Sequence, residues 1–455
     1  MTATAAPSRE ERPWTPGVDM FLAVVGSAAL VLAAQVPGES AGGARDAAMS
    51  DGALAGPALE RTSLVQAVLA HNPSLAQARA GWQAAAARGA QASALEDPML
   101  SYSVAPLSLF SDSVRFGQVV ELSQSLPFPG KRRLAGEVAG AEASAARGEW
   151  EVARARLALA ASQLYDDWTV VHRALALTDE HEALLVALKK SAEAQYVAGR
   201  ATQTDPLQAE VELSELLHER AMLESRRTSV RARLNGLLHR APQLPLPPPP
   251  AQPPEPQVAA LPESEVLQAE ALRLRPELAA VRARLGGGEA AVRLAQKNAL
   301  PDLRVMGSYN SMWMETQHQF MAGVSVSLPL QLGAKRAARE EARAALQGLQ
   351  QDEARLADEV RVEVEEARAG LLEAHHGLAI FRERLLPAVR DQVAAARAGF
   401  AAGRIPFSTV LEAERALRSA QLRLEEARSD VSRRQAELAR ATGHIPALPS
   451  EGGAR

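Results

Sequence analysis

The chain repeats itself at a fixed distance. Leu126-Pro127-Phe128-Pro129-Gly130-Lys131-Arg132-Arg133 closes one strand-like segment, and Leu328-Pro329-Leu330-Gln331-Leu332-Gly333-Ala334-Lys335-Arg336 closes another. Gly130 and Gly333 lie 203 positions apart. Asn72-Pro73-Ser74-Leu75 answers to Arg275-Pro276-Glu277-Leu278 at 203, and Asp97-Pro98-Met99-Leu100 to Leu300-Pro301-Asp302-Leu303 at the same offset. Tyr196-Val197-Ala198-Gly199-Arg200 answers to Phe400-Ala401-Ala402-Gly403-Arg404 at 204. An offset held at several separate places means one unit of roughly 200 residues built twice.

Within each unit the hydrophobic period changes twice. Arg61 to Leu95 reads as helix, with Pro73 marking a break or a first-turn position. An approximate two-residue alternation follows at Met99 to Ala105 and around Val114 to Ser123. In the second unit Leu303, Val305, Gly307 and Tyr309 alternate with polar partners, as do Phe320, Ala322, Val324, Val326 and Leu328. Each unit therefore carries two strands of about ten residues. Beyond each Pro/Gly corner comes a helix of some 65 residues, about 95–100 Å long. Apolar residues recur there at sevens: Trp150, Leu157, Leu164 and Val171, then Val364, Leu371, Leu378 and Leu385. The return helices do the same from Leu216 to Leu237 and from Val410 to Leu438, as expected of helices packed lengthwise.

The expected organisation is a signal peptide over 1–34, a flexible leader over 35–59, the first repeat over 60–240, a proline-rich linker over 241–262, the second repeat over 263–443 and a tail over 444–455. The apolar run from Met20 to Ala34 suits a signal and is too short to span a bilayer as a helix. Arg9 and Arg12 are offset there by Glu10, Glu11 and Asp19, so either the true start lies near Met20 or the signal is a weak one.

Formal charge is −4, which gives no basic field for nucleic acid. Aromatics at 4% suit a long coiled-coil body better than a compact core. With no cysteine, thiolate chemistry, disulfides, Cys-type zinc sites and a cysteine-linked lipid are excluded. The nine histidines form no i, i+4 pair and no His-Glu-x-x-His motif, so no metal site is read from them. Met306, Met312, Met314 and Met321, with Trp313 and His318, gather at the second strand pair. Soft-metal contact is conceivable there, but lipid-facing and loop positions are the expectation. No nucleophile–base set, phosphate loop or dinucleotide fingerprint appears, so no enzyme and no cofactor is expected.

Alternating strands in an exported, cysteine-free chain point to an outer-membrane barrel. Four strands cannot close one, because such barrels start at about eight strands. Three chains would supply 12, and their helices would continue the pore as a tube.

The duplicated helix–strand–strand–helix plan, the Leu126-to-Arg132 corner and the Tyr196-to-Arg200 turn followed by Asp205-Pro206-Leu207-Gln208-Ala209-Glu210 resemble the TolC-type outer membrane efflux protein family. Residues 60 to 443 carry the likeness, the second copy through Phe400-Ala401-Ala402-Gly403-Arg404 and Thr409-Val410-Leu411-Glu412-Ala413-Glu414. The corner is most similar to the heavy-metal branch that works with resistance-nodulation-division pumps. The resemblance implies a mainly α fold with a small β part, and a homotrimer with a 12-stranded barrel on an α-helical barrel. It implies an outer-membrane exit duct with a long periplasmic portion in a Gram-negative bacterium. Its partners would be outer-membrane lipid, a periplasmic adaptor and an inner-membrane pump, and its substrates heavy-metal cations. Alternatives are a duct for type I protein secretion or multidrug efflux and, of another class, an exported coiled-coil scaffold with no pore.

Helix-reversal chemistry accounts for Gly199 and Gly403 as left-handed caps, and gives Asp205 with Gln208 and Thr409 with Glu412 capping spacing. By the resemblance, Gly199, Arg200, Asp205, Gly403, Arg404 and Thr409 form the periplasmic tip that meets the adaptor. Asp205 and Glu412 are the candidate pore-lining acids, which threefold symmetry would turn into a ring. Pro127, Pro129, Gly130, Lys131, Pro329, Gly333 and Lys335 mark the strand-to-helix corners, expected with Arg132 and Arg336 at the periplasmic membrane boundary.

Overall fold

The computed structural model describes residues 56–105, 116–251 and 261–446; the expected signal peptide, most of the expected leader and the tail beyond residue 446 lie outside these residues. The fold is mainly helical with one small sheet. Helix α1 (Arg61–His71) leads into α2 (Pro73–Ser93), then strands β1 (Met99–Val104) and β2 (Gln118–Leu126). The first long helix, α3 (Lys131–Val197), and its return helix α4 (Thr204–Leu237) follow. The second repeat runs through α5 (Ser264–Leu274), α6 (Pro276–Lys297), β3 (Leu303–Asn310) and β4 (Phe320–Val326). It ends with α7 (Leu332–Ile380), a π-helical turn (Phe381–Leu385), α8 (Leu386–Ala401) and α9 (Phe407–Ala441).

Proline punctuation sets the breaks. Asn72 ends α1 in extended backbone, and its side-chain oxygen accepts from the Ser74 N–H while Pro73 opens α2. Pro276 opens α6 in the same way, with Arg275 at the cap. Pro387 sits at the start of α8, where it has no N–H for the preceding turn. The π turn at Phe381–Leu385 takes up that lost bond, so the rod continues instead of ending. The matching stretch of α3 has no proline and runs 67 residues unbroken, about 100 Å.

The heptad residues do bury. Val364, Leu371 and Leu378 pack with Leu424, Val431 and Leu438 between α7 and α9. Val171, Val230 and Leu234 join α3 to α4, and α1 closes that cluster with Leu64, Val65 and Val68. Trp82 of α2 stacks on Trp150 of α3 at 5.6 Å. Where α3 crosses α6, a Cβ on Gly148 would come within 2.8 Å of the Ala280 Cβ, so small residues allow close approach. The proline-rich segment is held against α3: the Trp168 indole N–H donates to the Pro247 carbonyl at 3.0 Å. Leu59, expected in the flexible leader, is only 1% exposed, and its N–H donates to Pro248 O. The leader therefore ends in an anchor.

The four strands form one antiparallel sheet in the order β1-β2-β3-β4. They are 6, 9, 8 and 7 residues long, shorter than the ten expected. The alternation around Val114 overshoots the β2 start at Gln118, and residues 106–115 lie outside the described set.

Asp166 of α3 is buried beside Arg61, Arg433 and Tyr165, and one of its carboxylate oxygens has no partner. Burial pushes its carboxyl up to about 6, against the charges of Arg61 and Arg433 and hydrogen bonds from Arg61 and Ser432. The folded state thus holds a proton that the unfolded state has released between about pH 4 and 6. Stability contributed by this site falls as pH rises through that window, by an amount on the order of 2–3 kcal/mol. Asp166→Asn is expected to flatten the pH dependence between pH 4 and 7, measured as denaturation midpoints followed by helical circular dichroism.

Candidate functional site: the sheet faces, the corner and the hairpin tips

Cross-strand register sorts the sheet into two chemically different faces. Leu100 pairs with Leu122, Leu122 with Gly307, and Gly307 with Ala322, so these residues share one side. Tyr102, Val120, Tyr309 and Phe320 form a parallel row on that side, as do Leu126, Leu303 and Val326. Of this face, Leu100 is 72% exposed, Phe320 70% and Val324 66%. The opposite side carries Ser101, Ser103, Glu121, Ser125, Arg304, Ser308, Asn310 and Ser325. Apolar on one side and polar on the other is the pattern of a strand with lipid on one face and water on the other. Among the described residues strands β1 and β4 each pair on one side only, which leaves two outer edges.

One seam joins the repeats at the base of the sheet. Lys131, the first residue of α3, is buried, and its Nζ donates to Asp302 Oδ1 at 2.7 Å and to the Leu300 carbonyl at 2.9 Å. The same Asp302 oxygen accepts the Phe128 N–H at 2.7 Å. Lys297 donates to the Pro129 carbonyl at 2.8 Å and lies over the Phe128 ring. Burial alone would raise the Asp302 carboxyl; the hydrogen bonds from Lys131 and Phe128 and the nearby lysine charges hold it below its ordinary value.

The two corners are built differently. Phe128-Pro129-Gly130-Lys131 is a turn closed by the Lys131 N–H to Phe128 O, with Gly130 at φ +92°. Proline before a positive-φ glycine is the type II arrangement. At the second corner the Leu330 N–H donates to Leu328 O and the Leu332 N–H to Leu330 O. Those i→i+2 bonds centre on Pro329 and Gln331, and Gln331 has the inverse γ geometry. Gly333 lies inside the first turn of α7 with no positive φ, so its equivalence to Gly130 in sequence is not one of conformation. Lys335 is only half-buried, whereas Lys131 is buried.

At the far end of the long helices the two tips do match. Gly199 at φ +71° and Gly403 at φ +69° each follow a Schellman pattern. Arg200 N–H reaches Gln195 O and Arg404 N–H reaches Gly399 O, both at 2.9 Å. The expected side-chain caps are not formed. Gln203 caps α4 and Pro406 caps α9 without a side-chain bond, and Thr409 lies two residues inside its helix. Instead the Thr202 hydroxyl donates to the Asp205 carboxylate at 2.8 Å, and the Thr202 N–H reaches its other oxygen at 3.4 Å. The capping contact lies one turn earlier: four residues separate Gly199 from α4, and Thr202 is the one in reach of Asp205. Glu412 is exposed in a groove of about 420 Å³ between α4 and α9, beside Leu207, Val211, Leu411 and Arg415. Arg415 and Arg418 of α9 tie that end to Glu212 and Glu219 of α4. Among the described residues no group of three or more His, Asp or Glu could hold a metal ion, and no helix is long and apolar enough to cross a membrane.

Sequence reasoning missed the Lys131–Asp302 seam, although Asp302 stands where the first copy has Met99. A carboxylate gained in one copy, opposite a lysine kept in both, was the available signal.

Comparison with known proteins agrees with this architecture. Residues 267–444 match the model of the outer membrane efflux protein family. A search of curated protein sequences finds no match. In fold, the chain is similar to crystal structures of CusC described in terms of transmembrane channel formation, at TM-score 0.72 and 19% identity over 84% of this chain and 92% of that one. VceC, an outer membrane protein of Vibrio cholerae, gives 0.67 and 18% over 84% and 96%. The open state of the Neisseria gonorrhoeae outer membrane channel MtrE gives 0.68 and 18% over 84% and 89%.

The seam has a measurable strength. Lys131→Met and Asp302→Asn, singly and together, should show a coupling of about 1–2 kcal/mol in denaturant unfolding. Because the Asp302 carboxyl is held low, that coupling should persist at neutral pH and fade as pH falls below the ordinary carboxylate range.

Proposed function

Starting from a chain whose second repeat belongs to the outer membrane efflux protein family and whose whole fold is that of solved outer-membrane channels, we propose that the protein is the exit duct of a tripartite efflux pump. The observation that carries this reading is the open-edged sheet with an exposed apolar face. Lipid offers no hydrogen bonds, so a sheet edge can stay there only by pairing. Three copies, joined β4 to β1, close a 12-stranded barrel in the outer membrane of a Gram-negative cell. The apolar face then meets lipid and the polar face lines the lumen. The long helices extend the passage about 100 Å through the periplasm.

The internal seam supports the trimer and suggests how its joints are made. Lys131 locks the first corner onto the Leu300-Pro301-Asp302 loop of the second repeat. Lys335 holds the matching place at the second corner, and the loop matching Leu300-Pro301-Asp302 is Asp97-Pro98-Met99. In a ring, Lys335 of one protomer meets that loop of the next.

Function at the far end follows from the tips. Gly199, Arg200, Asp205, Gly403, Arg404 and Thr409 meet a periplasmic adaptor, which links the duct to an inner-membrane resistance-nodulation-division pump. Asp205 and Glu412 give the aperture its negative charge, Asp205 while also closing its cap. The corner sequence supports heavy-metal cations as cargo, moved passively with energy from the pump.

Detergent-solubilised protein should have the mass of a trimer and pass small, cation-selective currents in a planar bilayer. Glu412→Gln and Asp205→Asn, which remove charge and keep shape, should lower cation selectivity and raise conductance. A water-soluble monomer without conductance would overturn the reading.

A further inference from the structure

The polar face of the sheet holds side chains that its own pattern does not call for. Its register positions are otherwise serine, asparagine, glutamate and arginine, with Gly323 and Val119. The remaining three are Met99, Met306 and Met321. The apolar face, where methionine would serve as an ordinary gap filler, carries leucine, valine, alanine and aromatic residues with Gly307, Gln118 and Gln124, and no methionine. Met306 and Met321, for which lipid-facing and loop positions are the expectation from sequence, thus lie on the side opposite the apolar face. Methionine here goes with the hydrophilic side.

Register also brings them together. Ser123 pairs with Met99 on one side and Met306 on the other, so a single short side chain separates two long ones. Met306 pairs with Gly323 and Met321 with Ser308, which makes the two methionines diagonal neighbours. Such neighbours have Cα atoms about 7–8 Å apart, within reach of long side chains. Met306 leans over Gly323: a Cβ there would meet the Met306 Cγ at 3.2 Å and its Sδ at 3.7 Å. Glycine at 323 leaves that thioether room on the side of Met321. Met99 and Met321 are more than half exposed, so their sulfurs are open to anything that passes along this face. Beyond the strand ends Met312 packs against Gly117, 3.1 Å from where its Cβ would be, and extends the series into the β3–β4 connection.

We propose that Met306 and Met321 form a thioether site, continued along the face by Met99, that holds soft monovalent cations, Cu(I) or Ag(I), in passage along the polar face. Thioether sulfur prefers such ions over hard divalent ones. It is neutral and a weak ligand, so it retains an ion without trapping it, as conduction requires. The site rests on the duct reading for its place in a lumen, but not for its chemistry.

The test uses the full chain in detergent, with Cu(I) supplied anaerobically in acetonitrile-containing buffer as the probe. Wild type should retain Cu(I) in equilibrium dialysis, and Met306→Leu/Met321→Leu should bind it about tenfold more weakly. Leucine keeps volume and apolarity, and the circular dichroism spectrum would confirm an unchanged fold. Met222→Leu, at an exposed methionine of α4, should bind as wild type does. No retention of Cu(I) by wild type, or double-variant affinity within about twofold of it, would overturn the proposal. Metal-free conductance on the same samples separates the two readings. A conducting trimer without methionine-dependent binding refutes the site and spares the duct, whereas methionine-dependent binding without conductance supports the site and refutes the duct.

Discussion

The antiparallel ladder between β2 and β3 is the contact on which the rest of the chain depends. It joins the two repeats, which the chain itself links through a proline-rich segment. A duplicated helix–hairpin–helix unit could satisfy its strands within each copy, and here it does so only on one side of each hairpin. The inner edges meet each other and the outer edges do not. Once β2 and β3 pair, the corner at Phe128–Lys131 lands on Asp302, and α3 leaves the sheet in a fixed direction between α2 and α6. A turn ending in a buried lysine is costly unless its charge is answered, which makes the corner selective for this one neighbour. Direction set at the base is carried about 100 Å down a helix of 67 residues.

Much of this was legible in the sequence, and the reasons differ by feature. Local rules did well. Glycine at 199 and 403 has the positive φ that a helix reversal demands, and the sevens from Val410 to Leu438 are buried or half-buried. The duplication even points to a third and fourth matched cap, at His239 and Gly443, where each return helix ends. His239 adopts φ +55° where its counterpart is glycine, a conformation that costs a side-chain-bearing residue about 1–2 kcal/mol. Non-local pairing was not legible: nothing between residues 118 and 126 announces β3 as a partner rather than a strand of its own copy. Alignment also misled locally. Two extra residues in the second corner replace a type II turn by two γ turns, so Gly333 and Gly130 share a column and not a role. At the tip, the capping signal was real but displaced, since Thr202 reaches Asp205 before Gln203 or Thr204 can.

The two repeats have drifted apart where charge is buried. Lys131 and Lys335 occupy matching places, yet only the first is enclosed. At the far end, α9 reaches α4 through Arg415 and Arg418, long side chains that bridge to Glu212 and Glu219 where apolar contact is sparse. Phe407 packs into the same region with Leu185 and Leu216. The first hairpin and the second are thus joined by an apolar cluster capped with ion pairs. Each pair has one partner largely covered, Glu212 in the first and Arg418 in the second, so the two bridges fix that end in register.

The sheet states the remaining problem in energetic form. Leu100, Phe320 and Val324 lie two-thirds or more open on one contiguous face. At about 25 cal/mol per Å² of apolar surface, a face of this kind in water forgoes several kcal/mol that burial would supply. Among the described residues the sheet carrying it also ends in two strands, β1 and β4, that pair on one side only. Either deficit alone has a simple remedy: a covering helix for the face, or a lysine or proline on the edge. The chain uses neither on its apolar side, and the helices leave from the ends of the strands rather than lying over them. A solvent that covers the face and a neighbour that completes the edge remove both deficits together. A bilayer does the first without hydrogen bonds, which makes the second obligatory.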